Sequence, residues 1–457
     1  MAALYNAPPP LVKRHCVESD TLLGMISRRH FLGSLSAPLL AQTRQPNILL
    51  VLADDMGFEC LAANGATTYR TPNLDRMAAQ GLRFTHAHSM PLCTPTRVQL
   101  MTGQYNFRNY TEFGSLPPGS TTFAHLFQQA GYRTGVTGKW QLAGHIEGQA
   151  YKGVGTLPRA AGFDESRLWQ VTTRGSRYWD PLHEIDAQPL PIATGKYGPD
   201  LETDFACQFL ERHRNRPFLF YYPMNLTHDP FVPTPASPNL ASAARQKSDP
   251  LWFKDMVEYC DHLMGRLLNK VDDLGLAENT LVLFLGDNGT GRAITTPTRS
   301  GPVKGGKGSP LSTGTHVPLL ARWIGHTPRG RVCEDLIDST DFFPTLCQAA
   351  GIPIPARLPR DGRSLLPQLE GRASQPREWL YFDYNPKWGK FPHQRWVMNK
   401  EYKLYDDGRA LRYSTDPLET QPIALPAPLH TLFPSVLGQP DPSLRIPSKQ
   451  SVFNALQ

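Results

Sequence analysis

Two pairs of side chains in this 457-residue chain carry the oxygen chemistry of a hard metal ion. Asp54 and Asp55 close the apolar run "NILLVLADDMG", and Asp287 and Asn288 close a second, "LVLFLGDNG". Carboxylate and amide oxygens suit Ca²⁺ or Mg²⁺ better than zinc. Paired acids at a strand end are equally read as a solvated turn. The metal reading gains because both pairs end strands of what the pattern gives as one sheet. Two more polar side chains arrive in the same way: Lys139 ends "GYRTGVTGK" and His228 follows "RPFLFYYPMNLT". A third stretch, "LCTPTRVQLMTG" with Cys93 and Arg97, has no second cysteine at metal-ligand spacing. Alone it reads as a turn leading into a helix.

The elements that must hold these residues alternate between two periods. Residues 46–57, 216–228 and 279–289 are short, near-continuous apolar runs of buried-strand type. Between them, 71–81 reads as a helix with Thr71 as cap, Pro72 at its first position and Gly81 at its end. Residues 82–89 read as a strand or extended segment. Residues 121–140 give a helix, a stop at Gly131 and a strand; 251–275 and 338–351 are helices closed by Gly275 and Gly351. This βα alternation predicts an α/β fold with a large, mostly parallel sheet between helices. In such sheets ligands gather at the carboxyl ends of the strands, where all four groups fall. From about 365 the pattern changes to short strands, in "EWLYFDY", "QRWVMNKEYKLYDD" and "ALRYSTDP", which predict a small antiparallel sheet. The expected division is an N-terminal extension over 1–41, a catalytic domain over 42–364, and a C-terminal subdomain with a proline-rich tail over 365–457.

Composition narrows the partners. Hydrophobic residues make up 40% and charged residues 19%, the balance of a globular protein, and the net charge is only +7. No Lys/Arg run resembles a nucleic-acid arm, so an anionic small molecule or glycan suits the chain better than DNA. Its seven cysteines contain no CxxC pair and so do not look like a zinc site or a dense disulfide framework, which leaves one or two bridges open. "SRRHFLGSLSAPLLAQ" resembles a twin-arginine export signal, with Arg28 and Arg29 before an apolar run too short to span a bilayer. Met25 is then the expected start, the mature chain begins near Gln42, and the protein works in the periplasm or outside the cell.

With these stretches in order, the chain resembles the sulfatases. "CTPTR" matches their Cys-x-Pro-x-Arg signature. "NILLVLADDMG", "TPNLDRMAAQGLRFTHAHS", "GYRTGVTGKW", "LVLFLGDNG" and "KGSPLSTGTHVP" extend the likeness from about 46 to 405. The resemblance implies an alkaline phosphatase-like fold and a sulfuric ester hydrolase. It implies that a formylglycine-generating enzyme reads the short motif and oxidises Cys93 to an aldehyde. One hydroxyl of the hydrated aldehyde attacks sulfur beside a divalent cation and releases the alcohol; the other then expels sulfate. By the same resemblance Asp54, Asp55, Asp287 and Asn288, with the modified Cys93, hold Ca²⁺, and Arg97 offsets charge beside the nucleophile. Lys139 and Lys307 grip sulfate oxygens, with Lys304 a competitor for the second place, and His228 protonates the leaving alcohol.

Two departures from the family pattern bear on mechanism. "GKWQL" puts Gln141 where a histidine is common, and an amide cannot take a proton at neutral pH. Asp287 or water is then the expected base for sulfate expulsion. In "SPLSTGTHVP", Ser312 and His316 replace a common acid and arginine, which reads as a subfamily mark. Two other functions compete: a phosphonate or phosphate ester hydrolase on the same fold, and a sulfated-glycan binding protein without turnover. The expected substrate is a sulfated carbohydrate. "KWGKFPHQRW" (387–396) reads as a sugar platform with Lys387, Lys390 and Arg395 for a second sulfate, or as an ordinary turn.

Overall fold

The first strand sets the plan of the molecule. In this computed structural model β1 (Asn47–Ala53) is buried along its whole length. Ile48, Leu50 and Leu52 point into one core, while Leu49, Val51 and Ala53 point into another. A run that is apolar at every position thus satisfies a sheet covered on both faces. The structure describes residues 45–145, 153–238, 245, 247–427, 429–430, 433 and 436. The export-signal segment lies outside them.

The remaining strands are β2 (Leu82–His88), β3 (Arg133–Lys139), β4 (Glu165–Trp169), β5 (His183–Ile185), β6 (Gln188–Pro189), β7 (Phe218–Pro223), β8 (Thr280–Gly286), β9 (Thr295–Thr298), β10 (Gly301–Lys304), β11 (His316–Arg322), β12 (Arg331–Asp338), β13 (Leu380–Tyr384), β14 (Gln394–Met398), β15 (Lys403–Tyr405) and β16 (Ala410–Leu411). Ten of them form one sheet in the order β12-β2-β11-β8-β1-β7-β3-β4-β5-β6. The centre, β8-β1-β7-β3-β4, is parallel throughout, as expected. β11 enters antiparallel between β2 and β8, and β5 and β6 close the far edge antiparallel. The helices Cys93–Thr102, Phe123–Gln129 and Phe342–Ala349 cover one face of the sheet, and Pro72–Gln80, Gly198–Arg212 and Phe253–Asp273 the other.

The predicted helix start at Thr71 differs in detail. Its hydroxyl donates to the Asp75 carboxylate and accepts from the Ala62 amide instead of capping the helix. Pro72 still opens the helix and Gly81 ends it. β13 to β16 form the small antiparallel sheet, which belongs to the same compact unit as the large one. Its Leu380, Phe382, Tyr384 and Trp396 share a core with Met90, Leu92 and Cys93. The C-terminal strands therefore form one wall around the Cys93 segment. All six described cysteines are free, so neither of the bridges left open by the sequence forms among them. No helix among the described residues is long and apolar enough to cross a membrane.

Candidate active site

Pairing of β1 with β8 places Ala53 opposite Gly286, so the next residues, Asp54 and Asp287, emerge side by side. The Asp287 amide donates to the Ala53 carbonyl at 2.9 Å, and the Asp55 amide donates to Asp287 Oδ1 at 3.1 Å. β3 ends on Lys139 itself, whose Nζ donates to Asp54 Oδ2 at 2.7 Å. β7 ends at Pro223, five residues before His228. The intervening loop is tied to β1, because the Asp54 amide donates to the Leu226 carbonyl at 2.8 Å. Four adjacent parallel strands thus deliver four chemical groups to one sheet edge.

Cys93 arrives from the neighbouring strand. β2 runs parallel to β8 across β11, and after four linking residues the chain turns into the helix Cys93–Thr102. Cys93 is its first residue, so Pro95 falls in the first turn, where no intrahelical amide partner is lost. Arg97 stands one turn on, on the same face. Thr96 Oγ1 donates to the Asp287 carbonyl at 2.6 Å and fastens the helix to the end of β8. Both Cys93 and Arg97 are buried, so the motif is a packed helix start.

The charges interlock. Arg97 Nη2 donates to Asp287 Oδ2 at 2.9 Å and stands 3.8 Å from Asp54 Oδ2, while its Nη1 donates to the Lys139 carbonyl at 3.2 Å. Lys307 Nζ donates to Asp55 Oδ2 at 2.6 Å and lies 2.9 Å from His228 Nε2. Asn288 Nδ2 donates to Asp55 Oδ1 at 2.8 Å. Lys304 is an exposed residue at the end of β10, which settles the choice between the two lysines geometrically. Gln141, at φ 50°, places its Oε1 3.8 Å from Cys93 Sγ. The structure therefore gathers all ten sequence-derived candidates at one locus.

Burial sets the electrostatics. Burial pushes Asp54 up, but Lys139, His228, Arg97 and Lys307 together outweigh it and hold the carboxyl below its usual range. Asp287 moves the other way, raised by burial and by Asp54 beside it. Burial also raises the Cys93 thiol, so an unmodified cysteine here is a neutral thiol at pH 7. His228 is lowered, chiefly by burial. Its Nδ1 lies 2.6 Å from the Asp229 carbonyl, which leaves Nε2 as the acceptor facing Lys307.

Two buried oxygens, Asp54 Oδ1 and Asn288 Oδ1, have no donor among the described residues. A carboxylate oxygen and an amide oxygen left without donors just past the ends of two paired strands fit a hard divalent cation. Among the described residues the candidate metal-binding groups, Asp54–Asp55–His228 and Asp54–Cys93–Asp287, share Asp54 and so mark one centre.

A family model for sulfatases matches residues 46–352, and a second, for the C-terminal part of N-sulphoglucosamine sulphohydrolase, matches 311–417. The chain belongs to the sulfatase family. Over 382 residues it is 34% identical to human arylsulfatase A, covering 78% of this chain and 73% of that one. It is 32% identical to human N-acetylgalactosamine-6-sulfatase over 385 residues, covering 75% and 68%. The fold is shared with a solved structure described as in complex with its substrate D-glucosamine-2-N,6-O-disulfate, at TM-score 0.70 and 21% identity, covering 86% of this chain and 97% of that one. This sulfatase accordingly hydrolyses sulfate esters.

The cavity above Cys93 is about 400 Å³ and is lined by residues that the motifs did not mark. Gln170, Arg174, Arg177 and Arg292 line it, as do Phe113, Trp388 and Phe391. The 387–396 segment thus contributes aromatics to the mouth. Its expected cations do not line it: Lys387 Nζ donates to the Tyr110 carbonyl at 3.4 Å, and Arg395 pairs with Asp406 at 3.2 Å. Lys390 is exposed and is not among the lining residues. Backbone pairing across a turn decides which side chains of such a segment face inward, and mixed composition alone carries no signal for it.

Proposed function

We propose that this sulfatase is a calcium-dependent exo- or endo-acting hydrolase of sulfated carbohydrate, with Cys93 matured to formylglycine. The observation that carries the proposal is the convergence on Cys93. The atoms Cys93 Sγ, an Asp54 oxygen and an Asp287 oxygen lie within 4.8 Å of one another, and buried oxygens of Asp54 and Asn288 have no donor among the described residues. Asp54, Asp55, Asp287 and Asn288 would hold the cation. The cation would supply Lewis acidity and charge neutralisation, and the matured Cys93 would supply an oxygen nucleophile. The neutral, buried thiol is a poor nucleophile without that maturation.

The remaining groups divide the work. Three carboxylates face three fixed cations, Arg97, Lys139 and Lys307, so any added divalent ion leaves the site net positive and receptive to an anionic ester. Lys139 and Lys307 steady the sulfate oxygens, and Arg97 braces Asp54 and Asp287 from behind. His228 Nε2, at the mouth, faces the position of the bridging oxygen, and a bound sulfate anion favours its protonated form. Gln141 orients the Cys93 group by hydrogen bonding and moves no proton. The segment around Arg28 and Arg29 fits export by the twin-arginine route, which supports a periplasmic or extracellular place of work.

The test is mass spectrometry of the tryptic peptide ending at Arg97, on protein made with a formylglycine-generating enzyme. Loss of about 18 Da at Cys93, thiol to aldehyde, together with calcium-dependent sulfate release from a sulfated sugar, is expected. An unmodified thiol would move the glycan-binding reading forward. Faster turnover of phosphonate than of sulfate esters would favour the phosphoester hydrolase reading.

A further inference from the structure

We infer that the mouth of this site reads a second negative charge on the substrate, using Arg177 with Arg174, and that Gln170 accepts a hydrogen bond from a hydroxyl or N–H nearby. The inference rests on the sulfatase reading and extends it to substrate class: a carbohydrate that carries another anionic group close to the scissile sulfate.

Arg177 is the central observation. It is buried, yet its Nη1 has no acceptor among the described residues. Its guanidinium lies 4.0 Å over the Trp169 ring, which fixes the plane of the fork. A buried guanidinium with a free N–H is costly unless an acceptor arrives, and its planar fork matches carboxylate or sulfate oxygens. Gln170 offers the complementary orphan: it lines the same cavity, and its buried Oε1 has no donor among the described residues. One buried donor and one buried acceptor, both unpaired and both on the cavity wall, describe a ligand that brings both kinds of group.

The surrounding charge agrees. The lining contains Arg174, Arg177 and Arg292 against a single carboxylate, Asp229. Asp229 Oδ1 is already 3.1 Å from His228 Nδ1. Arg292 is partly committed, because its Nε donates to the Lys307 carbonyl at 2.8 Å, which leaves Arg174 as the exposed helper. The loop that carries Gln170 and Arg174 is held from below by Glu184, which accepts from the Val171 and Thr172 amides at 2.9 and 2.8 Å. Trp388, 39% exposed and stacked on Phe113 at 4.9 Å, gives a flat face for a sugar ring on the cavity wall.

The experiment is competition against 4-nitrophenyl sulfate turnover by the matured enzyme in calcium. The competitors are glucosamine 6-O-sulfate, glucosamine 2-N,6-O-disulfate, and sulfated disaccharides with a uronic acid or its carboxyl-reduced form. A doubly charged sugar should compete about tenfold or more better than its singly charged counterpart, and the preferred pair distinguishes a second sulfate from a carboxylate. Arg177→Gln should collapse that preference, and Arg177→Lys should restore it only in part, because the fork is lost. Arg174→Gln, an exposed change, should reduce the preference if Arg177→Gln fails to fold by thermal melt. The inference is overturned if singly charged sugars compete as well as every doubly charged partner, or if the preference survives these substitutions. Absence of turnover on any sulfate ester would instead strike the sulfatase reading beneath it, so the two failures are distinct.

Discussion

At the scale of single residues, the proposed roles sort into groups that hold, groups that bind and one that moves a proton. His228 is the proposed mover, and its contribution should then depend on the leaving group. His228→Gln should cut kcat/KM by about 10²- to 10⁴-fold on a sugar sulfate, and far less on 4-nitrophenyl sulfate, whose leaving group needs no proton. Equal losses on both esters would remove the acid role and leave a binding one. Gln141 makes the opposite kind of prediction. Its Oε1 sits 3.8 Å from the Cys93 sulfur, and an amide has no proton to exchange there. Gln141→His adds a base at that point. The pH profile of kcat should then gain a limb that rises through the ordinary histidine range near pH 6.5. An unchanged profile would mean that position 141 takes no part in sulfate expulsion.

At the scale of elements, precision comes from strand ends that cannot shift. Gly138 precedes Lys139 at φ 108°, and a Cβ there would lie 2.0 Å from the Pro223 carbonyl oxygen of β7. Gly138→Ala should therefore cost about 2–4 kcal/mol and displace the lysine that grips Asp54. The expected result is a lowered thermal midpoint with lost activity; an unaltered midpoint would show that β3 and β7 separate more easily than their packing suggests. Paired β2 and β11 carry a different feature. His316, which stands in the place of a common arginine, stacks on Phe58 at 4.1 Å and on His88 at 5.0 Å. Burial pushes His316 down to about 4 and holds His88 well below the ordinary histidine range. Both are neutral in the fold but take protons when unfolded below about pH 6.5, so the unfolded chain binds more protons in that window. Stability should be full above about pH 6.5 and fall by about 1–3 kcal/mol as pH drops toward 4. His316→Phe should flatten that slope in thermal melts taken across pH; the same slope in the variant would assign it to other groups, such as the carboxylates.

At the scale of the whole molecule, the proposed calcium site joins distant parts of the chain. Asp55 and Asn288 meet through neighbouring strands, and Cys93 roots the C-terminal sheet through its shared core. An ion bound only by the folded state stabilises by mass action, about 2.7 kcal/mol at one hundred times its dissociation constant. Chelation should lower the thermal midpoint as well as activity, with calcium restoring both. Loss of activity without any shift in midpoint would place the ion's role outside the fold's stability.

Much of this was legible before any coordinates. Continuous apolar runs marked buried parallel strands, and a ligand edge follows from their shared direction. β1 and β8 could therefore be expected to bring Asp54 and Asp287 to one place. The stretch around Cys93, Pro95 and Arg97 reads as a turn leading into a helix; that the helix starts on Cys93 itself, with Arg97 one turn on, is a finding of the structure. The antiparallel entry of β11 was not legible, since an apolar run has no direction written in it. Nor was the choice between Lys304 and Lys307, three residues apart, one exposed at a strand end and one on Asp55. Lys387 and Arg395 looked available and are turned to Tyr110 and Asp406, while Arg177, in a loop without any motif, stands over Trp169 with an N–H that has no acceptor among the described residues. Sequence determined the chemistry that depends on local spacing and strand ends. Only the tertiary structure decided which charges are paired and which remain free, because pairing is a property of distances between segments far apart in the chain.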